Sequence, residues 1–137
     1  MKRTLDMTPL LNLIEERRAS LFGVRRWLFI PPFSVFMRVT SHYLDGAMQP
    51  TLDVATIDNA EQPGQGAFSV FMTEVEKIAL KEGCYVRVES VNNEDLVKHL
   101  AKRGYQIKDE DTSPIAFKSV EALNRQYNAD ENNPDIC

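Results

Sequence analysis

Gly64 and Gly66 mark the stretch of this chain best suited to chemistry. They lie in Gln62-Pro63-Gly64-Gln65-Gly66-Ala67-Phe68, after the strand-like run Leu52-Asp53-Val54-Ala55-Thr56-Ile57. Behind them Phe68, Phe71, Met72, Val75, Ile78 and Ala79 recur at spacings of three and four, the apolar stripe of an amphipathic helix. A strand, a glycine turn and a helix start set free backbone N–H groups beside the positive end of a helix dipole, a site for phosphate or another anion. The same two glycines serve equally well in a plain connector.

Other reactive side chains are sparse. Of the two cysteines, Cys84 falls inside a strand pattern and reads as a small buried hydrophobe, and Cys137 is a terminal thiol. His42 and His99 have no ligand spacing to each other or to a cysteine, so no metal site is expected; they read as a hairpin and a helix-surface histidine. A net charge of −4 over 137 residues argues against a nucleic-acid binder that relies on a broad basic face. Arg17, Arg18, Arg25 and Arg26 form a local basic group, read as a solvated helix face. No run is long enough to span a membrane, and Met1-Lys2-Arg3-Thr4-Leu5-Asp6 lacks the apolar core of a signal peptide, so the expected location is cytoplasmic.

These groups must be held by a single α/β domain, expected over residues 1–127, with 128–137 as a disordered acidic tail. Thr8-Pro9 opens a helix, with Thr8 as the N-cap, that buries Leu10, Leu13, Ile14 and Leu21 and stops at Gly23. Arg25 to Ile30 is ambiguous between helix and extended chain, and Pro31-Pro32 ends it in either case. The run Trp27-Leu28-Phe29-Ile30 reads as core or as interface, which leaves the oligomeric state open, a dimer included.

Phe33–Thr40 and Thr51–Ile57 read as an antiparallel pair across an Asp45-Gly46 turn. The helix after Gly66 runs to Gly83, and Cys84–Ser90 is a strand parallel to the one before that helix. Asn93 caps a second helix that ends at Gly104. Tyr105–Ile107 and Ile115–Lys118 are two last strands joined by a polar loop, followed by a short helix from Val120 to Tyr127.

This order, with these motifs, resembles the GNAT superfamily of N-acetyltransferases from about Phe33 to Lys118. Residues Ile57 to Phe68 look like the family's acyl-CoA pyrophosphate loop. Val88-Glu89-Ser90-Val91-Asn92-Asn93, followed by Leu100-Ala101-Lys102-Arg103-Gly104-Tyr105, is similar to the family's strand, its helix opening with Asn, and its closing Lys-x-Gly-aromatic signature. Phe68, where many members carry a second glycine, is similar to the small GNAT-like proteins of bacteriophages.

The resemblance implies an α/β GNAT-like mixed sheet whose antiparallel N-terminal strands, central parallel pair and antiparallel C-terminal strands are flanked by helices. It implies acetyl-CoA as co-substrate and an unidentified amine, on a small molecule or a protein, as acceptor. The pantetheine arm would lie along Ile57 and Asn59, and the pyrophosphate over Gln62, Gly64, Gln65, Gly66, Ala67, Phe68 and Ser69, with Asn93 reaching the donor from the second helix. Asp53, Asp58, Glu89 and Ser90 are the strand residues available as base, with Asp53 and Ser90 first. In such folds the first helix, the segment after it and the late loop build the acceptor groove.

Two departures from the family pattern stand out. Pro63 occupies the place of an arginine that aids pyrophosphate binding, and Leu100 that of a tyrosine that protonates the leaving thiolate. They leave two readings open, an N-acyltransferase and a degenerate GNAT fold that acts as a protein-binding module or regulator.

Overall fold

The computed structural model describes residues 5–59, 66–89, 91, 94–110 and 113–128. In chain order these form α1 (Thr8–Arg18), β1 (Val24–Ile30), β2 (Phe33–Leu44), β3 (Ala47–Asn59), α2 (Ala67–Glu82), β4 (Tyr85–Val88), α3 (Glu94–Lys102), β5 (Gln106–Glu110), β6 (Ser113–Lys118) and α4 (Val120–Asn128). The strands make one mixed sheet in the order β1-β2-β3-β4-β6-β5. Among the described residues only β3 and β4 run parallel, in register from Thr51↔Tyr85 to Val54↔Val88. A parallel pair needs a crossover, and α2 supplies it. The mixed α/β architecture expected from the sequence is the one observed.

Alternation along the strands sends Leu28, Ile30, Val35, Met37, Val39, Leu52, Val54, Val86 and Val88 to one face. There they meet Leu10, Leu13 and Ile14 of α1, Phe71, Met72, Val75 and Ala79 of α2, Leu100 of α3 and Leu123 of α4 in a single core. Each fully buried Leu, Ile, Val, Phe or Met among them contributes about 1.5–3 kcal/mol. The other face holds a small apolar cluster, Leu44, Tyr85, Ile115 and Phe117, and beside it a group of charged side chains.

Local chemistry explains where the elements begin and end. Asp45 and Gly46 both take positive φ (54° and 85°), the conformation a two-residue hairpin between β2 and β3 requires. Pro50 is tolerated inside β3 because β4 pairs with that strand only from Thr51 onward. Gly83 closes α2 in the left-handed conformation, φ 74°.

Several expectations are corrected. Thr8 is not the N-cap of α1; its N–H donates to Asp6 Oδ1 at 3.0 Å, and Met7 occupies the cap position. The helix stops at Arg18, and Leu21, expected in the core, is 91% exposed. Arg25–Ile30 is strand, folded onto β2 through a tight turn at Pro31-Pro32, so Arg25 and Arg26 sit on β1 and not on a helix. The run Trp27–Ile30 is half core and half surface: Leu28 and Ile30 are buried, and Trp27 and Phe29 exposed. The stretch taken as a polar loop before Ile115 largely pairs, with Lys108↔Ile115 and Asp109↔Pro114 in register. Residues 129–137 of the expected tail lie outside the described residues.

Candidate active site

The parallel pair is short and its strands part. Glu89 N–H still donates to Val54 O at 3.0 Å, but β3 continues to Asn59 with, among the described residues, β2 alone as its partner. At the point of parting β3 carries a bulge: Phe36 pairs with Thr56 and Met37 with Val54, so Ala55 is the extra residue. A cavity of about 250 Å³ opens there, lined by Val54, Ala55, Thr56, Ile57, Phe68, Val88, Glu89 and Leu96. One wall is therefore strand backbone no longer occupied by β4, and another is the first turn of α2.

That first turn begins at Gly66, whose φ of 77° favours glycine and around which a Cβ would meet nothing within 4 Å. Among the described residues no side chain caps α2, and Val70 N–H bonds back to Gly66 O at 3.2 Å. The N–H groups ahead of it face the same end of the helix dipole, an environment suited to anions. Ser69 Oγ accepts from Arg103 Nη1 at 3.2 Å, which brings a guanidinium to the opening of α2. Phe68 packs against His99 with ring centroids 5.2 Å apart. His99, expected as a surface residue, has a buried Nε2 with no hydrogen-bond partner. Burial first, and then the charge of Arg103, lower its pKa.

Of the expected donor-binding residues, Ile57, Phe68, Ala67, Gly66 and Ser69 lie along this cavity and the adjoining helix start, and Asn59 closes β3 opposite Phe33. Gln62, Gly64, Gln65, Asn93 and the catalytic candidate Ser90 lie outside the described residues. Leu100 is fully buried in the core.

The strand carboxylates separate clearly. Asp58 is exposed. Glu89 lines the cavity and takes Arg87 Nη1 at 2.6 Å as well as Arg38. Burial pushes its carboxyl upward, but bonds from Arg87 and Arg38 outweigh that and hold it below its ordinary value. Asp53, one residue before Val54, is fully buried. His42 Nε2 approaches Asp53 Oδ2 to 2.6 Å, while Arg87 and Arg38 stay at 3.6 and 3.8 Å. Asp53 Oδ1 and Thr51 Oγ1 are buried without hydrogen-bond partners. The pair of His42 with Asp53 is absent from the sequence reading, because residues eleven apart on a hairpin of unknown register give no pairing signal.

A second buried carboxylate lies on the helix side. Glu76 of α2 accepts from Arg103 Nε at 3.1 Å and Nη2 at 2.6 Å, from Tyr105 Oη at 2.7 Å and from Tyr127 Oη. A larger hollow of about 470 Å³ lies elsewhere, between α1 and β1, where Trp27, Phe29 and Asp6 are among its lining residues. It contains none of the groups just described.

No protein-family model matches the sequence, and no curated protein matches it. Solved structures do. The chain superposes on the structure of the KacTA–DNA complex with a TM-score of 0.58 at 13% identity, covering 89% of this chain and 83% of the other. It superposes on the AtaT Y144F toxin bound to the C-terminus of the antitoxin AtaR and acetyl-CoA with a TM-score of 0.52 at 13% identity, covering 72% and 64%. For the Y145F mutant of KacT the values are 0.51, 12%, 68% and 66%. The fold resembles that of these GNAT-type toxins. This chain spans slightly less than two thirds of the AtaT and KacT mutant chains. The bacteriophage-type refinement finds no support among these neighbours. Nor does net charge exclude nucleic acid for an assembly of this fold, since one neighbour was solved in a complex with DNA. Among the described residues no helix is long and apolar enough to cross a membrane.

Proposed function

We propose that this chain is an acyl-CoA-dependent N-acyltransferase that transfers an acetyl group to an amine. The observation that carries the reading is the parting of β3 from β4 at Val54, with the cavity it opens beside the start of α2. The backbone of β3 from Ala55 to Asn59 offers a sheet edge to the amide-bearing pantetheine arm, as a further strand would. The α2 N-terminus, with Gly66 clear of any Cβ contact, takes the pyrophosphate. A neighbour of the same fold was solved with acetyl-CoA, which supports the choice of donor.

In this reading Glu89 holds the amine at the cavity floor, its carboxylate kept ionised by Arg38 and Arg87. Asp53 is too deeply buried to meet the amine, and acts by orienting His42, which takes up the proton the amine loses. Ser90 adjoins Glu89 in sequence and keeps its candidacy. The amine nitrogen forms the new bond to the acyl carbon as the carbon–sulfur bond breaks. Leu100 offers no proton, and Tyr105 and Tyr127 both donate to Glu76, so the leaving thiolate takes its proton from solvent. Pro63 lowers donor affinity but leaves the helix start intact.

Titration calorimetry with acetyl-CoA tests the reading. Saturable binding to wild type that Gly66→Val abolishes is the expected result, because valine is strained at φ 77°. No heat and no melting shift at millimolar acetyl-CoA would refute it. A second reading, a GNAT fold that works by binding a protein, is favoured by the AtaT neighbour bound to an antitoxin C-terminus and by the losses at the positions of Pro63 and Leu100. A stoichiometric protein partner retained by a chain that does not bind acetyl-CoA would select it.

A further inference from the structure

β1 and β2 set two arginines directly opposite each other, Arg25 against Arg38. The row continues across the sheet, with Arg38 opposite Asp53 of β3 and Asp53 opposite Arg87 of β4. Alternation puts all four on the face away from the core, because Leu28, Val39, Leu52 and Val86 point inward. Like charges directly opposite on neighbouring strands repel, and the two arginines differ in what answers them. Arg38 pairs with Glu89 and lies over the Phe36 ring, 5.7 Å from its centroid, which holds its guanidinium in place. Glu89 is already shared with Arg87. Arg25 is exposed and pairs with no carboxylate among the described residues, whereas Arg26 beside it holds Glu16. Between Arg25 and Arg38 lies a hollow of about 230 Å³, lined also by Gly23, Val24 and Thr40. A Cβ on Gly23 would stand 2.4 Å from Thr40 Oγ1, so glycine is what lets the chain run this close to Thr40 as β1 begins.

We propose that this hollow binds a carboxylate, and that the acceptor is a small amino acid whose amine reaches Glu89 while its carboxylate lies between Arg25 and Arg38. The identity of the acceptor rests on the acyl-transfer reading; the carboxylate site itself does not. Guanidinium forks match the two oxygens of a carboxylate, and a bound anion relieves the repulsion of two arginines set face to face. The deficit is the single charge of Arg25. A carboxylate fills it, and a phosphate monoester, at about −1.5 to −2, overshoots it. Arg38 both pairs with Glu89 and lines the hollow, so amine and carboxylate fall on either side of one arginine. Arg25 stands one strand further out, about 5 Å. That span suits an amine several methylenes from its carboxylate better than an α-amino acid. The bonds made and broken are those of acyl transfer, and the carboxylate takes no part in them.

Steady-state transfer from acetyl-CoA to ε-aminohexanoate, to its amide and to hexylamine is the test. For the full chain, kcat/KM is expected to be at least ~10-fold higher for the acid than for either amine with a neutral end. Arg25→Gln should raise KM about tenfold for the acid alone, with kcat held, and Arg25→Lys should recover part of the loss. Arg125→Gln, at an exposed arginine of α4, should change nothing. Acid and hexylamine used equally well would overturn the proposal, as would an Arg25→Gln variant that slows all three amines alike. So would a preference for aminohexyl phosphate over the acid. Hexanoate has no amine and separates the site from the reaction. Trp27, the single tryptophan, lies two residues from Arg25 on the same face, so its emission should report hexanoate binding that Arg25→Gln abolishes. Such binding without transfer to any amine keeps the carboxylate site and refutes acyl transfer. No Arg25-dependent binding of hexanoate up to about 50 mM overturns the site.

Discussion

Two carboxylates among the described residues are completely buried, Glu76 on the helix side of the sheet and Asp53 on the other, and their surroundings differ in kind. Glu76 has its acceptor sites filled by Arg103 and Tyr105 from the turn after α3 and by Tyr127 of α4. A buried charge so completely bonded ties α2, the end of α3 and α4 together and has no capacity left for chemistry. Asp53 has one short contact, to His42, with two guanidiniums beyond hydrogen-bond range and Oδ1 unpartnered. His42 in turn is partly exposed. Equal burial therefore marks a structural clamp in one place and, in the other, an incompletely satisfied group whose one close partner, His42, is partly exposed. Degree of hydrogen-bond satisfaction distinguishes them where depth does not.

Breaking the clamp should have the largest effect. Glu76→Leu leaves the Arg103 charge and two tyrosine hydroxyls without their acceptor and is expected to cost about 3–5 kcal/mol in urea unfolding. Next comes activity at the other carboxylate. His42→Gln is expected to lower acyl transfer by roughly 10²–10⁴-fold, followed as thiol release from acetyl-CoA across a panel of amines, with acetyl-CoA affinity unchanged. A variant as active as wild type would remove His42 from the reaction. The same comparison predicts that Asp53→Asn destabilises by no more than about 1 kcal/mol, the scale of one ordinary hydrogen bond. A cost matching that of Glu76→Leu would erase the distinction between the two sites.

The smallest effect is in acid. Burial alone would raise the pKa of Glu76, yet bonds from Arg103, Tyr127 and Tyr105 leave it below its ordinary value of 4.5. A carboxyl depressed on folding stabilises above that ordinary value, and the contribution is lost as pH falls through the folded value. Stability measured from pH 6 downward should therefore fall below about pH 4.5, and Glu76→Gln should flatten that part of the curve.

Much of the frame was legible in the sequence. Periodicity announced α2, turn chemistry at Asp45-Gly46 announced the central hairpin, and a strand–helix–strand order announced the parallel pair. Elements that depend on distant partners were less so. Arg25–Ile30 has no clean alternation of polar and apolar types, because its outer face carries the exposed aromatics Trp27 and Phe29 beside Arg25 while Arg26 shares the inner face with Leu28 and Ile30. Leu21 looked like the last rung of α1, yet Ser20 O accepts from Arg17 Nη1 and the chain turns away first.

For the site, Ile57 and Phe68 were readable because they follow from the strand–turn–helix order. The union of Asp53 with His42, Arg38 and Arg87 was not, since it depends on the register of β2 and on which strand lies beside β3. The same holds for Glu76, which sits in the apolar stripe of α2 and reveals its purpose only when Arg103 folds back onto it.

The thirteen residues of β3 lead two lives: from Thr51 to Val54 the strand is clasped on both sides, and from Ala55 to Asn59 on one. Alternate amides in the second half face the cavity with no strand opposite them among the described residues, so they should exchange with deuterated solvent far faster than their neighbours that face β2. An acyl donor laid along that edge would make its own backbone-like bonds to those amides and slow them selectively. Loading would then be read as the completion of a sheet whose last rungs belong to the substrate.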